Sequence, residues 1–307
     1  MNQRQPLRVI VIGQHNSFDQ ILAANIQCWG YEAVILPSLM TVLGEEGIEG
    51  DVLLYDLDEA FRISMLTRGR DTPSLPVQWA KRNEQWWSRV PFTIALSSHS
   101  VSRATLEQIG AIAFLHKPFE MGRLQRYLRL LQRLLSEELG LSAGDENFNA
   151  AGETARVLVV DDDVNIANVV QQCLVEEAGY EVAVAHDGLE AMEQCLSWHP
   201  HCIVTDLILP WMNGYQLMRC LATRSQYVSP AFVIMSALTQ LEAPVSRWYL
   251  EGKTVAYVDK PFQIDYLLTT IQQVLLKVGA PLAHTYLQMK AGNTCPDRKS
   301  TRLNSSH

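Results

Sequence analysis

No apolar run in this chain approaches the roughly 20 residues that a bilayer-spanning helix needs, so a membrane protein is not expected. Behind Arg4 and Arg8 the first apolar stretch is Val9-Ile10-Val11-Ile12, closed by Gly13. It is too short for the core of a secretory signal and reads as a strand. Metal-binding cysteine spacing is missing too. The six cysteines (Cys28, Cys173, Cys195, Cys202, Cys220 and Cys295) are scattered without a CxxC pair, a pattern that favours reduced thiols in a cytoplasmic protein over disulfides or zinc. Nor is there a basic excess. The formal net charge is −8, which leaves nothing to neutralise a phosphate backbone, so direct nucleic-acid binding is not expected.

What is present is a repeat, in a chain long enough for two ordinary domains. Late in the sequence stand Val157-Leu158-Val159-Val160-Asp161-Asp162-Asp163, Ile203-Val204-Thr205-Asp206, Phe232-Val233-Ile234-Met235-Ser236 and Tyr257-Val258-Asp259-Lys260-Pro261-Phe262. Early on stand Val9-Ile10-Val11-Ile12-Gly13-Gln14, Val52-Leu53-Leu54-Tyr55-Asp56, Thr93-Ile94-Ala95-Leu96-Ser97 and Phe114-Leu115-His116-Lys117-Pro118-Phe119. Each series is a set of apolar strands that deliver polar side chains at their C-terminal ends. The early series has lost the acidic residues of its first strand.

Between the strands the spacing is helical, as in Ile166, Val169, Val170, Cys173 and Leu174 before Gly179, or Ile264, Leu267, Leu268, Ile271, Leu275 and Val278. A short helix is expected near 240–250 and a strand over 254–258. Nearly all-apolar strands alternating with helices imply a parallel sheet covered on both faces. The expected fold class is therefore α/β, with two doubly wound, five-stranded parallel-sheet domains in tandem. We place the first domain at 7–135, a linker at 136–155, the second domain at 156–278 and a tail at 279–307. The first domain carries extra length over Thr67–Val90, including Trp79, Trp86 and Trp87, which either cap the sheet's own helices or form a partner-binding patch. Helix 121–139 sets Leu124, Leu128, Leu131 and Leu135 at a coiled-coil interval over fewer than two heptads, with Arg123, Arg126, Arg129 and Arg133 as a solvated face. Residues 297–307 have neither apolar period nor turn logic and read like one frame of a sequencing adapter. Excluding them leaves the natural C-terminus undefined, and a following output domain remains an expectation.

In open parallel sheets the C-terminal strand ends converge on one crevice. Asp161 and Asp162 leave one strand and Asp206 leaves another, and neighbouring strands lie about 5 Å apart. Crowded carboxylates either share protons or hold a cation. Mg²⁺ suits them, being hard, content with few carboxylates, and able to keep sites for water and phosphate oxygens. Lys260 offers a point charge to a phosphoryl group and the Ser236 hydroxyl a hydrogen bond. A carboxylate nucleophile, a metal and a cation are the requirements of aspartyl-phosphate formation. Taken singly, each residue has a plainer role: an aspartate after a strand is often a helix N-cap, and Lys-Pro is often a turn.

The segments VLVVDDD, IVTDLILPWMNG, FVIMSA and YVDKPF make residues 156–277 resemble the receiver domain of bacterial response regulators. That resemblance implies Asp206 as phosphoacceptor, with Asp161, Asp162, Asp206 and the Ile208 carbonyl as Mg²⁺ ligands. It implies Ser236 and Tyr257 as a switch pair, Lys260 as the phosphate-contacting lysine, and a cis peptide at Lys260–Pro261. Asn213 stands where aspartate is usual and Ser236 where threonine often stands. The first domain resembles the family less completely. Asp56, Ser97, Phe114 and Lys117 match, but Gly13 and Gln14 replace the acidic pair, which implies a degenerate receiver that is not expected to be phosphorylated efficiently.

A rival reading takes Asp56 and Asp58 as the DxD pair of a haloacid-dehalogenase-like phosphatase, with Ser97 and Lys117 downstream. That class, however, wants its DxD on the first core strand. The reading adopted is a tandem receiver protein of two-component signalling that is not an enzyme beyond slow self-dephosphorylation. Its second domain takes phosphate from a sensor histidine kinase or phosphotransfer histidine and switches protein–protein contacts. The first domain docks or dimerises, so homodimerisation is an open expectation.

Overall fold

The computed structural model describes residues 6–13, 16–37, 49–58, 90–136, 154–222, 230–237 and 253–280. The chain divides into two compact units, Met1–Gln132 and Arg133–His307, with the division falling in the last turn of the helix Met121–Leu135, which is described with the first.

The first unit runs β1 (Arg8–Ile12), α1 (Ser17–Cys28), β2 (Glu32–Leu36), β3 (Val52–Asp56), β4 (Phe92–Ser97), α2 (Arg103–Gln108), β5 (Ala111–His116) and α3 (Met121–Leu135). Its sheet has the order β2-β1-β3-β4-β5 and every pairing is parallel. The second unit runs β6 (Arg156–Val160), α4 (Val164–Glu176), β7 (Glu181–Ala185), α5 (Gly188–Trp198), β8 (Cys202–Asp206), α6 (Gly214–Ala222), β9 (Ala231–Ser236), β10 (Val255–Asp259) and α7 (Ile264–Lys277). Its order, β10-β9-β8-β6-β7, is the same arrangement read from the other edge, again all parallel. Two flavodoxin-like sheets thus stand in tandem, as the repeat implied.

The apolar strands explain the architecture. Val157, Leu158, Val159 and Val160 alternate faces yet are all fully buried, because helices cover both sides of a parallel sheet. One side packs Val157, Val159, Val204, Val233 and Met235 against Val170 and Leu174 of α4 and Leu267, Ile271 and Leu275 of α7. The helices start where side chains cap them. Asn16 and Asp19 form a capping box on α1, and Asp187 accepts from the Glu190 amide at the start of α5. Helix α4 gives way to Gly179, whose φ of +66° favours glycine,.

Helix α3 buries Leu124, Leu128 and Leu131, so the leucine interval belongs to a core-facing stripe. Its arginines divide: Arg129 and Arg133 are exposed, whereas Arg123 and Arg126 are half-buried. Among the described residues no helix is long and apolar enough to cross a membrane. The expected helix near 240–250, the insertion with Trp79, Trp86 and Trp87, most of the 136–155 linker, Gln14, Cys295 and the 297–307 segment lie outside the described residues.

Candidate phosphoryl-transfer site and its degenerate counterpart

Strands β6 and β8 are direct neighbours, with Val160 beside Thr205, so the residues after them must meet. Carboxylate oxygens of Asp161, Asp162 and Asp206 all lie within 4.8 Å of one another, the one such gathering among the described residues. The Asp triplet divides its labour. Asp163 caps α4, accepting from the Asn165 amide at 2.8 Å. Asp161 and Asp162 are left to face Asp206, so the N-cap role and the site role fall to different residues.

Asp161 is 1% exposed. Its Oδ1 accepts from the Asp163 amide at 3.0 Å and its Oδ2 from Lys260 Nζ at 2.9 Å. The same ammonium reaches Asp206 Oδ2 at 2.8 Å. Burial pushes the Asp161 carboxyl up, although Lys260 and the Asp163 amide pull against it. At Lys260 the balance falls the other way: burial works against its charge, but Asp206 and Asp161 together hold it above its ordinary value. One ammonium thus faces three carboxylates. This excess of negative charge, gathered from hard oxygen donors, fits a small divalent cation.

The backbone around Asp206 is held closely. Thr205 Oγ1 donates to the Asp206 carbonyl at 2.8 Å, and the Ile208 amide donates to Asp206 Oδ1 at 3.2 Å. A Cβ on Gly214 would stand 2.8 Å from the Asp206 carbonyl, which explains glycine where α6 begins. Sequence reasoning missed Thr205, and it missed His186, whose Nδ1 lies 3.2 Å from the Asp161 carbonyl. A single His between a strand and a helix carries no spacing signal that would have found it.

Ser236 ends β9 and is buried, while Tyr257 on edge strand β10 is 48% exposed. Both Lys117–Pro118 and Lys260–Pro261 are cis. The buried thiols of Cys195, Cys202 and Cys220 are pushed far up by desolvation and act as small apolar groups,.

A family model described as the response regulator receiver domain matches residues 157–272. That segment belongs to the receiver family. Regulatory protein VanRB of Enterococcus faecalis is 35% identical over 125 residues, covering 41% of this chain and 54% of the relative. Response regulator MprA of Mycobacterium bovis is 27% identical over 151 residues, covering 49% and 64%. The chain therefore spans roughly half to two thirds of these curated relatives. Among solved structures, the chemotaxis response regulator CheY4 of Vibrio cholerae is 31% identical with a TM-score of 0.35, covering 40% of this chain and 99% of that one.

The first unit has the receiver's strand order with a different site. Asp56, Ser97 and Lys117 converge at the ends of β3, β4 and β5, and Phe114 is half-buried on β5. Lys117 Nζ pairs with Asp56 Oδ2 and, at 3.1 Å, with Asp58 Oδ2. Asp58 also accepts from Ser97 Oγ at 2.7 Å. At Gly13, where the receiver of the second unit has Asp161, a Cβ would fall 2.3–2.6 Å from the carboxylate atoms of Asp19. The acid missing from β1 therefore could not be restored without displacing a buried α1 side chain.

For the phosphatase reading, Asp58 would have to act as a general acid. Burial opposes its charge, but Ser97, the Ser98 amide, Lys117 and His99 hold its carboxyl well below the usual carboxylate range, so it is a fixed anion with no proton to give. The DxD also sits on the third strand, and the comparisons give the phosphatase reading no support.

Proposed function

We propose that the second unit, 156–278, accepts a phosphoryl group on Asp206 from a sensor histidine kinase or phosphotransfer histidine in the cytoplasm. The observation that carries this reading is the half-buried Asp206 carboxylate, grouped with Asp161 and Asp162 and paired with Lys260 at 2.8 Å. An Asp206 carboxylate oxygen attacks phosphorus, the bond to the donor's histidine nitrogen breaks, and its electron pair leaves with the ring.

Asp161, Asp162, Asp206 and the Ile208 carbonyl would hold Mg²⁺, which supplies charge neutralisation for the transferring oxygens. Lys260 exchanges carboxylate partners for a phosphoryl oxygen, and Ser236 Oγ donates to another. Movement of Ser236 toward the phosphoryl group leaves room for the exposed Tyr257 ring to turn inward, altering the face formed by β10 and α7. The output is a change in protein contacts, including self-association. No reaction is catalysed beyond slow loss of the phosphate. The first unit, 7–135, serves as a docking or dimerising module, joined by the 136–155 linker and followed by the 279–307 tail.

Incubation with Mg²⁺ and a small-molecule phosphodonor, followed by mass spectrometry, tests this. Labelling is expected at Asp206 and lost in Asp206→Asn. Equal labelling of Asp56 would overturn the division of roles. Ser236→Ala or Tyr257→Ala is expected to leave labelling intact and abolish phosphorylation-dependent exchange changes over 255–278. Unchanged exchange there in the wild type would end the switch reading.

A further inference from the structure

The two units use the position two residues past their β3 or β8 aspartate differently. In the second unit it is Ile208, apolar and 61% exposed. In the first it is Asp58, on which donors from the ends of β4 and β5 converge. Ser97, fully buried at the end of β4, aims its Oγ at Asp58 Oδ1 from 2.7 Å. The Ser98 amide donates to both carboxylate oxygens at 2.8 and 2.9 Å. Lys117 Nζ reaches Oδ2 at 3.1 Å, and His99 Nδ1 lies 3.3 Å from Oδ1. The arrangement is braced: the His99 amide donates to Ser97 Oγ at 3.0 Å, and the Asp58 amide donates to Asp56 Oδ1 at 3.0 Å. A hydroxyl, a main-chain amide and an ammonium converging on one anion form the donor set that binds a phosphate group.

We propose that the rim of β3, β4 and β5 is an oxyanion cradle that the chain fills with its own Asp58 carboxylate. The first unit therefore holds permanently, without phosphoryl transfer, the donor arrangement that the second unit adopts only when a phosphoryl group arrives. The charge balance agrees, since Lys117 is already shared between Asp56 and Asp58 and a dianion delivered there would meet two carboxylates. The inference extends to Ser97 and Lys117 the contacts proposed for Ser236 and Lys260. Its test does not use Asp206, so either reading can fail alone.

The probe is inorganic phosphate, added to the full chain and followed by segment-resolved hydrogen exchange over 97–99 and 111–117. Wild type is expected to show no phosphate-dependent change there. Asp58→Ala is expected to lose protection in these segments and to regain it with phosphate. Its affinity should exceed the wild type's by at least about tenfold, the worth of one charge-assisted contact set made available. Adding Lys117→Met to Asp58→Ala should remove the gain. A folded Asp58→Ala that binds phosphate no better than wild type would overturn the proposal, as would a phosphate response at 97–99 in wild type. Should Asp58→Ala fail to fold, the shape-conserving Asp58→Asn decides: a smaller gain in phosphate protection supports the cradle, and no gain refutes it.

Discussion

Lys260→Met removes the one cation that the described structure sets among Asp161, Asp162 and Asp206, and its cost can be worked from the geometry. The ammonium lies 2.9 Å from Asp161 and 2.8 Å from Asp206, with side-chain exposures of 9%, 1% and 17%. Each pair has a Coulombic attraction of about 4 kcal/mol at an effective dielectric near 20 and a charge separation of about 4 Å. Desolvation of the lysine offsets part of this, and breaking a buried pair from one side typically costs about 3–5 kcal/mol. Burial already pushes the Asp161 carboxyl up, and loss of the ammonium removes the partner that pulls most against that shift. The expected destabilisation in Mg²⁺-free buffer is about 2–4 kcal/mol, or about 1–3 M in urea midpoint for a domain of this size. Exchange of the 202–206 amides across a urea series reports the second unit alone. Mg²⁺ should then act in the opposite sense: with no ammonium competing for the carboxylates, the variant should bind it at least about tenfold more tightly than wild type. Saturating Mg²⁺ should restore most of the lost stability. An unchanged midpoint without metal, or weaker Mg²⁺ binding in the variant, would refute the reasoning.

Asp161→Ala combined with Asp162→Ala should abolish Mg²⁺ binding by calorimetry, since the first unit has Gly13 and Gln14 at the positions where the second has its acidic pair; retained affinity would reveal a further metal site. Gly188→Ala should destabilise the second unit by about 1–3 kcal/mol in urea and slow Asp206 labelling, because its Cβ would stand 2.2 Å from the Met212 carbonyl in the loop after β8; a neutral effect would mean that this loop yields freely. The depressed Asp58 carboxyl gives the first unit stability that is fully present above the ordinary aspartate range near pH 4 and is lost as pH falls through the folded value,. Asp58→Asn should therefore flatten that unit's acid unfolding below about pH 4, followed by exchange of 111–116, and an unaltered acid limb would remove Asp58 as its cause.

The sequence by itself determined the sheet, the repeat and which acids and lysine the strand ends bring together. Four apolar runs of strand length in each half, separated by helical spacing, admit little but a parallel sheet covered on both faces, and such a sheet brings its C-terminal strand ends together. Asp161, Asp162, Asp206 and Lys260 were legible for that reason, although neither their spacing in the chain nor their residue types singly would have joined them. What only the tertiary structure decided lies in pairings between loops. The triplet Asp161-Asp162-Asp163 reads as three equivalent acids, and it took the start of α4 to assign Asp163 to capping. Gly13 reads as a lost acid, whereas the fold shows Asp19, six residues on along α1, occupying the space where such a side chain would begin. Asp58 read as half of a DxD motif, because sequence gives no account of which donors surround a carboxylate. Ser97, Ser98 and Lys117 reach it from two other strands, and those hydrogen bonds, absent from any local pattern, turn a candidate proton donor into a fixed anion.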